Sequence, residues 1–290
     1  MSKELVGEFF PETFNGFLKD HAPWLYDFLL PDWVAERCPM PSIDLQIPGV
    51  SSPVKLFWPV VAIVILTGFI SSLFMGTRMF LRVQREGSSA RQGLFVWSCS
   101  LLSYACMCCG GFFFHCLHIR TIPHMLDLVG TGLSSLSAIA GFAAYTGKLD
   151  DRTPAQRLRL LLCALAFIAV AFLSPPLLQE QLYIVPSLLA TFAGVSIVRK
   201  SSAKIRTVGL TTRLQEAHRE AHRWLKISGL GVVVGLACVS LDKFLCVNLG
   251  ANFSLVFWFF LGCNLAILSA NKFALVAADN NLHFTDLKSQ

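Results

Sequence analysis

Charge is scarce in this sequence. Only 14% of its 290 residues are Asp, Glu, Lys or Arg, whereas 54% are hydrophobic. Ordinary soluble domains carry about 25% charged residues. A water-soluble body of this composition would leave large apolar patches on its surface, which excludes an aqueous globule and makes lipid the solvent. No long apolar run precedes Leu56, so no cleavable leader is expected. There is no tandem repeat and no low-complexity tract. Gly-rich phosphate loops and nucleotide, haem or dinucleotide motifs are also missing. The ten cysteines do not read as a disulfide framework. Cys99, Cys106, Cys108, Cys109 and Cys116 cluster in one apolar run, where a thiol packs as a small hydrophobe. Only Cys38 and Cys246 fall in segments expected outside the bilayer.

What is abundant is uninterrupted apolar sequence. A spanning helix needs about 20 mostly apolar residues to cross roughly 30 Å of hydrocarbon. Stretches at about 56–79, 93–117, 125–145, 158–178, 183–198, 225–245 and 253–278 qualify. They define an all-α, polytopic seven-transmembrane helix bundle over 56–278, preceded by a tail at 1–55 and followed by one at 279–290. The fifth stretch is short, follows a break at Ser174-Pro175-Pro176 and contains Pro186. A re-entrant hairpin is the alternative there.

Orientation follows from the basic residues. The first connection holds Arg78, Arg82, Arg85 and Arg91, and the third holds Lys148, Arg152, Arg157 and Arg159. The connection from Arg199 to Lys226 holds eight more. The intervening connections offer little beyond Arg120 and Lys243. Basic loops stay in the cytosol, so the N-terminus is expected on the non-cytosolic side and the C-terminus in the cytosol. The first 55 residues set four basic against eight acidic side chains, which suits export. The formal net charge of +6 is thus a topology signal, and no nucleic-acid partner is expected. The Arg199–Lys226 connection reads as a solvated loop, with contact to anionic lipid as the alternative. The membrane is an endomembrane or the plasma membrane.

Two flanking segments have patterns of their own. The tail before Leu56 is rich in aromatics (Phe9, Phe10, Phe14, Phe17, Trp24, Tyr26, Phe28, Trp33), with Pro11, Pro23 and Pro31 between them. The Phe10, Phe14, Phe17, Leu18 spacing makes one apolar helical face, suited to lying on the outer leaflet. A cap over the bundle mouth or contact with a partner subunit are the alternatives. Thr211–Trp224 reads as helical, with Glu216, Arg219, Glu220 and Arg223 spaced for ion pairs.

Ionisable groups at membrane depth are costly and mark candidate chemistry. One cluster qualifies: His115 and His118 at the end of the second stretch, His124 and Asp127 at the start of the third. Each pair is about one helical turn apart, and both lie at the non-cytosolic end. Imidazole and carboxylate are the usual ligands of catalytic zinc, so His118, Asp127, His115 and His124 are the candidate metal ligands. The bland alternative is histidines bonded to backbone or water. No residue is assigned as catalytic, and no cofactor other than a possible zinc ion is expected.

A helix ending in histidine, followed some ten residues later by an aspartate opening the next span, resembles the CREST superfamily. That superfamily includes alkaline ceramidases, adiponectin-type receptors, Per1-like and myomaker-like proteins. Met125-Leu126-Asp127-Leu128-Val129-Gly130-Thr131-Gly132-Leu133-Ser134 is similar to the third-span opening of the myomaker-like branch. Leu241-Asp242-Lys243-Phe244-Leu245-Cys246 is similar to a segment of the alkaline ceramidases. The resemblance implies seven spans, an exterior N-terminus, His118 as a zinc histidine and Asp127 as the acid beside it. It stops at the last span. The family's H-x-x-x-H there is replaced by Phe253-Ser254-Leu255-Val256-Phe257-Trp258-Phe259-Phe260, its serine falls at Phe114, and its first-span acid has no counterpart. The chain's own H-x-x-x-H, His218/His222, lies in the basic cytosolic connection. The resemblance therefore implies an incomplete metal site.

Lys272 in the last stretch invites a Schiff-base reading, but the sixth stretch from Ile227 to Leu241 has no aromatic to wall a retinal. Snorkelling to the nearby surface is the simpler role. Small residues fill stretch three (Gly130, Gly132, Ser134, Ser135, Ala138, Gly141) and line stretch six (Gly229, Gly231, Gly235), which marks both as interior helices. Three functions follow: a non-catalytic or diverged CREST-like protein acting in a membrane assembly or on lipid; a transporter, channel or accessory subunit; and a zinc-dependent lipid amide or ester hydrolase with a rearranged site.

Overall fold

A computed structural model describes residues 20–24, 41–49, 52–87, 90–119, 122–205, 212–253, 255–280 and 282. Most of the aromatic tail and the C-terminal residues 283–290 lie outside them, and with them the expected interfacial helix at Phe10–Leu18. After residues 20–24 comes an antiparallel hairpin, β1 (Ser42–Leu45) on β2 (Val54–Phe57), in which Ser42 faces Phe57 and Leu45 faces Val54. The hairpin is a small appendage to an otherwise all-α bundle, and Leu56 belongs to its second strand instead of opening the first span. Trp58 turns the chain with a φ of 52°, is fully enclosed, and donates its N–H to the Pro41 carbonyl at 2.9 Å. Pro59 then opens the first helix, where its missing N–H costs nothing.

Seven helices follow among the described residues: α1 Pro59–Glu86, α2 Leu94–Gly111, α3 Ile122–Tyr145, α4 Pro154–Leu173, α5 Pro176–Ile205, α6 Thr212–Leu249 and α7 Leu255–Asp279. A π-turn, Phe112–Cys116, extends α2, and a short 3₁₀ turn, Ala251–Phe253, precedes α7. Five are long and apolar enough to cross a membrane: Pro59–Glu86, Leu94–Cys116, Ile122–Tyr145, Pro154–Leu173 and Phe257–Asp279. That is the architecture of a multi-pass integral membrane protein.

Helix directions can be read from paired contacts. Ser100 bonds Ser134 while Gly93 meets Ala144, so α2 and α3 are antiparallel. Ser135 bonds Ser187 while Gly194 lies on Phe142, so α3 and α5 are parallel. Gly231 meets Ala266 while Gly235 approaches Phe259, so α6 and α7 are antiparallel. Gly68 meets Asn264 and Arg82 bonds Asp279, so α7 returns beside α1 and parallel to it. The ends of α1, α3 and α7 thus gather with the starts of α2, α4 and α6, away from the hairpin end.

Two sequence expectations change. The fifth apolar segment falls at Ile184–Arg199, close to the expected 183–198, within a helix, α5, that runs unbroken through Pro186 for 30 residues. Proline removes the N–H that would bond the Leu182 carbonyl four residues back. Gly132 of α3 closes over that carbonyl, since a Cβ there would stand 2.8 Å from it. The helix break falls at Ser174-Pro175, so α4 ends at Leu173 instead of 178. Second, the connection at 199–226 is not simply a solvated loop. Thr212–Leu249 is one helix of 38 residues whose Ala217, His218, Ala221, His222 and Leu225 are buried. Glu216, Arg219, Glu220 and Arg223 lie on its exposed side and form no ion pair with one another. Among the five apolar helices α2 is the most enclosed, with 72% of its apolar stretch buried, followed by α3 at 56%.

Asp151 ties the end opposite the hairpin together. Its side chain accepts the N–H groups of Gly93 at 2.6 Å, Phe95 at 3.1 Å and Val96 at 3.2 Å, capping α2 from another loop. A carboxylate at a helix N-terminus meets both the unpaired donors and the positive end of the dipole. Arg157 bonds the carbonyls of Asp151 and Gly87 and lies over the Phe95 ring. Burial pushes the Asp151 carboxyl above its usual range, against the backbone hydrogen bonds and the Arg157 charge. By contrast α4 is scarcely enclosed. Ala171 is its one buried residue, and Leu158, Leu161, Leu162, Leu165 and Phe172 face outward.

Candidate functional site

The four candidate ligands sit where the sequence suggests, at the hairpin end, but they do not converge. The π-turn Phe112–Cys116 adds one residue to the last turn of α2, and such turns re-aim side chains. It brings His115 inward, 3% exposed, with Nε2 3.5 Å from the Asp127 Oδ2. Asp127 can approach because α2 has two glycines there. A Cβ on Gly110 would stand 2.5 Å from the Asp127 backbone nitrogen and from the Pro123 carbonyl, and one on Gly111 would stand 3.6 Å from Asp127 Oδ1. Phe260 of α7 packs edge-on against the His115 ring at 5.5 Å.

The other two histidines are held by rings. His118, at φ 55°, lies flat on Phe57 of β2, with centroids 4.0 Å apart and planes within 6°. His124 stacks on Phe114 at 4.7 Å. Among the described residues no three of His, Cys, Asp and Glu are grouped so that they could hold a metal ion. Zinc needs at least three protein ligands even at a catalytic site. The residues present do not fit that ion. What remains is a His115–Asp127 pair walled by Phe114 and Phe260.

The structure assembles two further polar centres. Midway along the bundle, Tyr104 of α2 donates its hydroxyl to Asn264 Oδ1 of α7 at 2.7 Å, and Asn264 Nδ2 donates to the Val64 carbonyl of α1 at 2.8 Å. One asparagine therefore joins three helices. The signal was present in the sequence: Asn264 and Asn271 stand seven residues apart in an apolar run, on one helical face. At the opposite end His218 is fully buried with Nδ1 3.4 Å from the Tyr145 hydroxyl, and His222, 5% exposed, follows one turn later. Burial, then the charges of His218 and Lys226, push the His222 imidazole down to about 4. Lys272 points to the exposed side of α7, beside the enclosed Asn271. Cys99, Cys106, Cys108, Cys109, Cys116, Cys163 and Cys263 are all free thiols.

Fold and polar centres together define a polytopic helical membrane protein with a paired, not clustered, set of ionisable side chains. Comparison with protein-family models, with characterised proteins and with solved structures finds no match.

Proposed function

We propose that this chain crosses the membrane seven times, N-terminus non-cytosolic and C-terminus cytosolic, as a non-catalytic, diverged CREST-like protein acting within a membrane assembly. The carrying observation is the pairing of His115 with Asp127 while His118 and His124 are engaged by Phe57 and Phe114. A hydrolase that activates water on a metal needs a third ligand and an open position at this end, and the geometry favours a packed role instead. The exposed apolar surface of α4 supports association through this helix, with membrane lipid or a partner subunit against it. Arg82 and Arg157 lie at the end opposite the hairpin, which supports the orientation.

Metal analysis tests this reading. Purified protein is expected to retain no stoichiometric zinc after desalting. His115→Ala and Asp127→Asn should lower thermal stability equally with or without a chelator. Zinc bound one-to-one and lost in His115→Ala would instead establish a metal enzyme.

A further inference from the structure

Ser72 on α1 and Asn271 on α7 are each 0% exposed, and neither Ser72 Oγ nor Asn271 Oδ1 has a hydrogen-bonding partner among the described residues. The Asn271 Nδ2 makes a long contact, 4.0 Å, with Met75 Sδ. Both oxygens belong to one seam. The parallel helices α1 and α7 touch at Gly68 with Asn264, at Met75 with Asn271 and at Arg82 with Asp279. Ser72 lies one turn after Gly68 and one before Met75, on the same helical face. Helical side chains lean toward the N-terminus, which carries the Asn271 amide back along α7 toward the level of Ser72.

Hydrocarbon supplies no hydrogen-bond donor, and a buried polar atom left unmet costs about 1–3 kcal/mol. Asn264, two turns earlier on α7, shows the satisfied alternative, with both ends of its amide bonded to protein. We propose that one water molecule resides between α1 and α7 and donates one hydrogen to Asn271 Oδ1 and the other to Ser72 Oγ. Internal waters occupy such places, bridging two to four polar atoms that the protein leaves unpaired. The inference rests on these two helices alone and does not depend on the number of crossings or on the state of the histidine pair.

Hydroxyl-radical footprinting with short X-ray pulses, on the full chain in lipid nanodiscs, tests it. Radicals form from water itself, so a resident water oxidises the side chains beside it. Met75 reports on the seam; Met79 and Met107, 3% and 2% exposed, are the references. Met75 is itself partly buried, so its own wild-type rate, normalised to the two references, is the baseline against which the variants are read. In Ser72→Val/Asn271→Leu, which removes both polar partners, its normalised rate should fall several-fold. The single variant Ser72→Val should lower it in the same direction, which keeps the test decisive if the double variant fails to fold. Equal rates for the three methionines in the wild type, or an unchanged Met75 rate in a folded variant, would overturn the proposal. So would a wild-type rate that changes when sodium replaces potassium at fixed ionic strength, because a cation would then occupy the seam.

Discussion

At Gly68 an added methyl group would collide with Asn264 Oδ1, an atom already committed to the Tyr104 hydroxyl. The asparagine cannot swing aside without breaking that bond or the one from Nδ2 to Val64. Gly68→Ala should therefore destabilise the bundle by about 1–3 kcal/mol, the usual cost of overpacking. Asn264→Ala makes room but leaves the Tyr104 hydroxyl unmet, so the double variant should lose less than the sum of the two single losses. Unfolding in mixed detergent reads this out, and strict additivity would refute the contact.

His222 belongs to the same scale. It lies on the stretch of α6 ahead of the expected sixth span, and its imidazole is held down at about 4 against an ordinary 6.5. The unfolded chain therefore takes up the proton first as the pH falls. The stability tied to neutral His222 is whole above about 6.5 and is lost progressively towards pH 4. His222→Gln should flatten this acid limb in thermal unfolding followed against pH. An identical limb in the variant would remove His222 as its source.

Among the elements, α6 and α7 show how close approach is bought by glycine. A Cβ on Gly231 would meet the Ala266 nitrogen at 2.5 Å and the Gly262 carbonyl at 2.6 Å; one on Gly262 would meet the Gly231 carbonyl and Gly235 nitrogen, each at 2.6 Å. These neighbours are backbone, so they cannot rotate away. Gly231→Leu should separate the two helices and cost more than Gly229→Leu, since nothing lies within 4 Å of a Cβ on Gly229. Resistance of the purified protein to heat-induced aggregation ranks the two variants. The small-residue pattern did announce such contacts. It could not say which glycine meets backbone, because that depends on the partner helix and its register.

Pro186 teaches a related lesson. In the sequence it reads as an interruption of the fifth stretch, since it removes a helical hydrogen bond. In the bundle, α3 presents Gly132 to the freed Leu182 carbonyl and α5 continues. Neighbouring helices commonly make proline tolerable in membrane segments. The long α6 followed the same logic. Its charged face, Arg213 to Lys226, was legible as water-facing, but the burial of His218 and His222 was set by Tyr145 and the surrounding core.

For the whole molecule, the proposed seven crossings, with α7 parallel to α1, place the termini on opposite sides of the membrane. An N-terminal glycosylation acceptor should be modified, and a C-terminal tag should be reached only after the cytosolic side is opened. Both tags on one side would refute seven crossings. The tyrosine and asparagine that join α1, α2 and α7 at mid-depth give the assembly its internal reference point.

By itself the sequence determined the solvent and the class. Apolar runs of spanning length need lipid whatever they pack against, and the distribution of arginine and lysine set the expected orientation without reference to any contact. Tertiary structure alone decided the rest. The π-turn and Gly110 paired His115 with Asp127, whereas Phe57 and Phe114 took the other two histidines. The outcome turned on side-chain directions at a meeting of four elements. Spacing along one chain constrains neighbours on a helix, but it leaves open which atoms of different helices come within bonding distance.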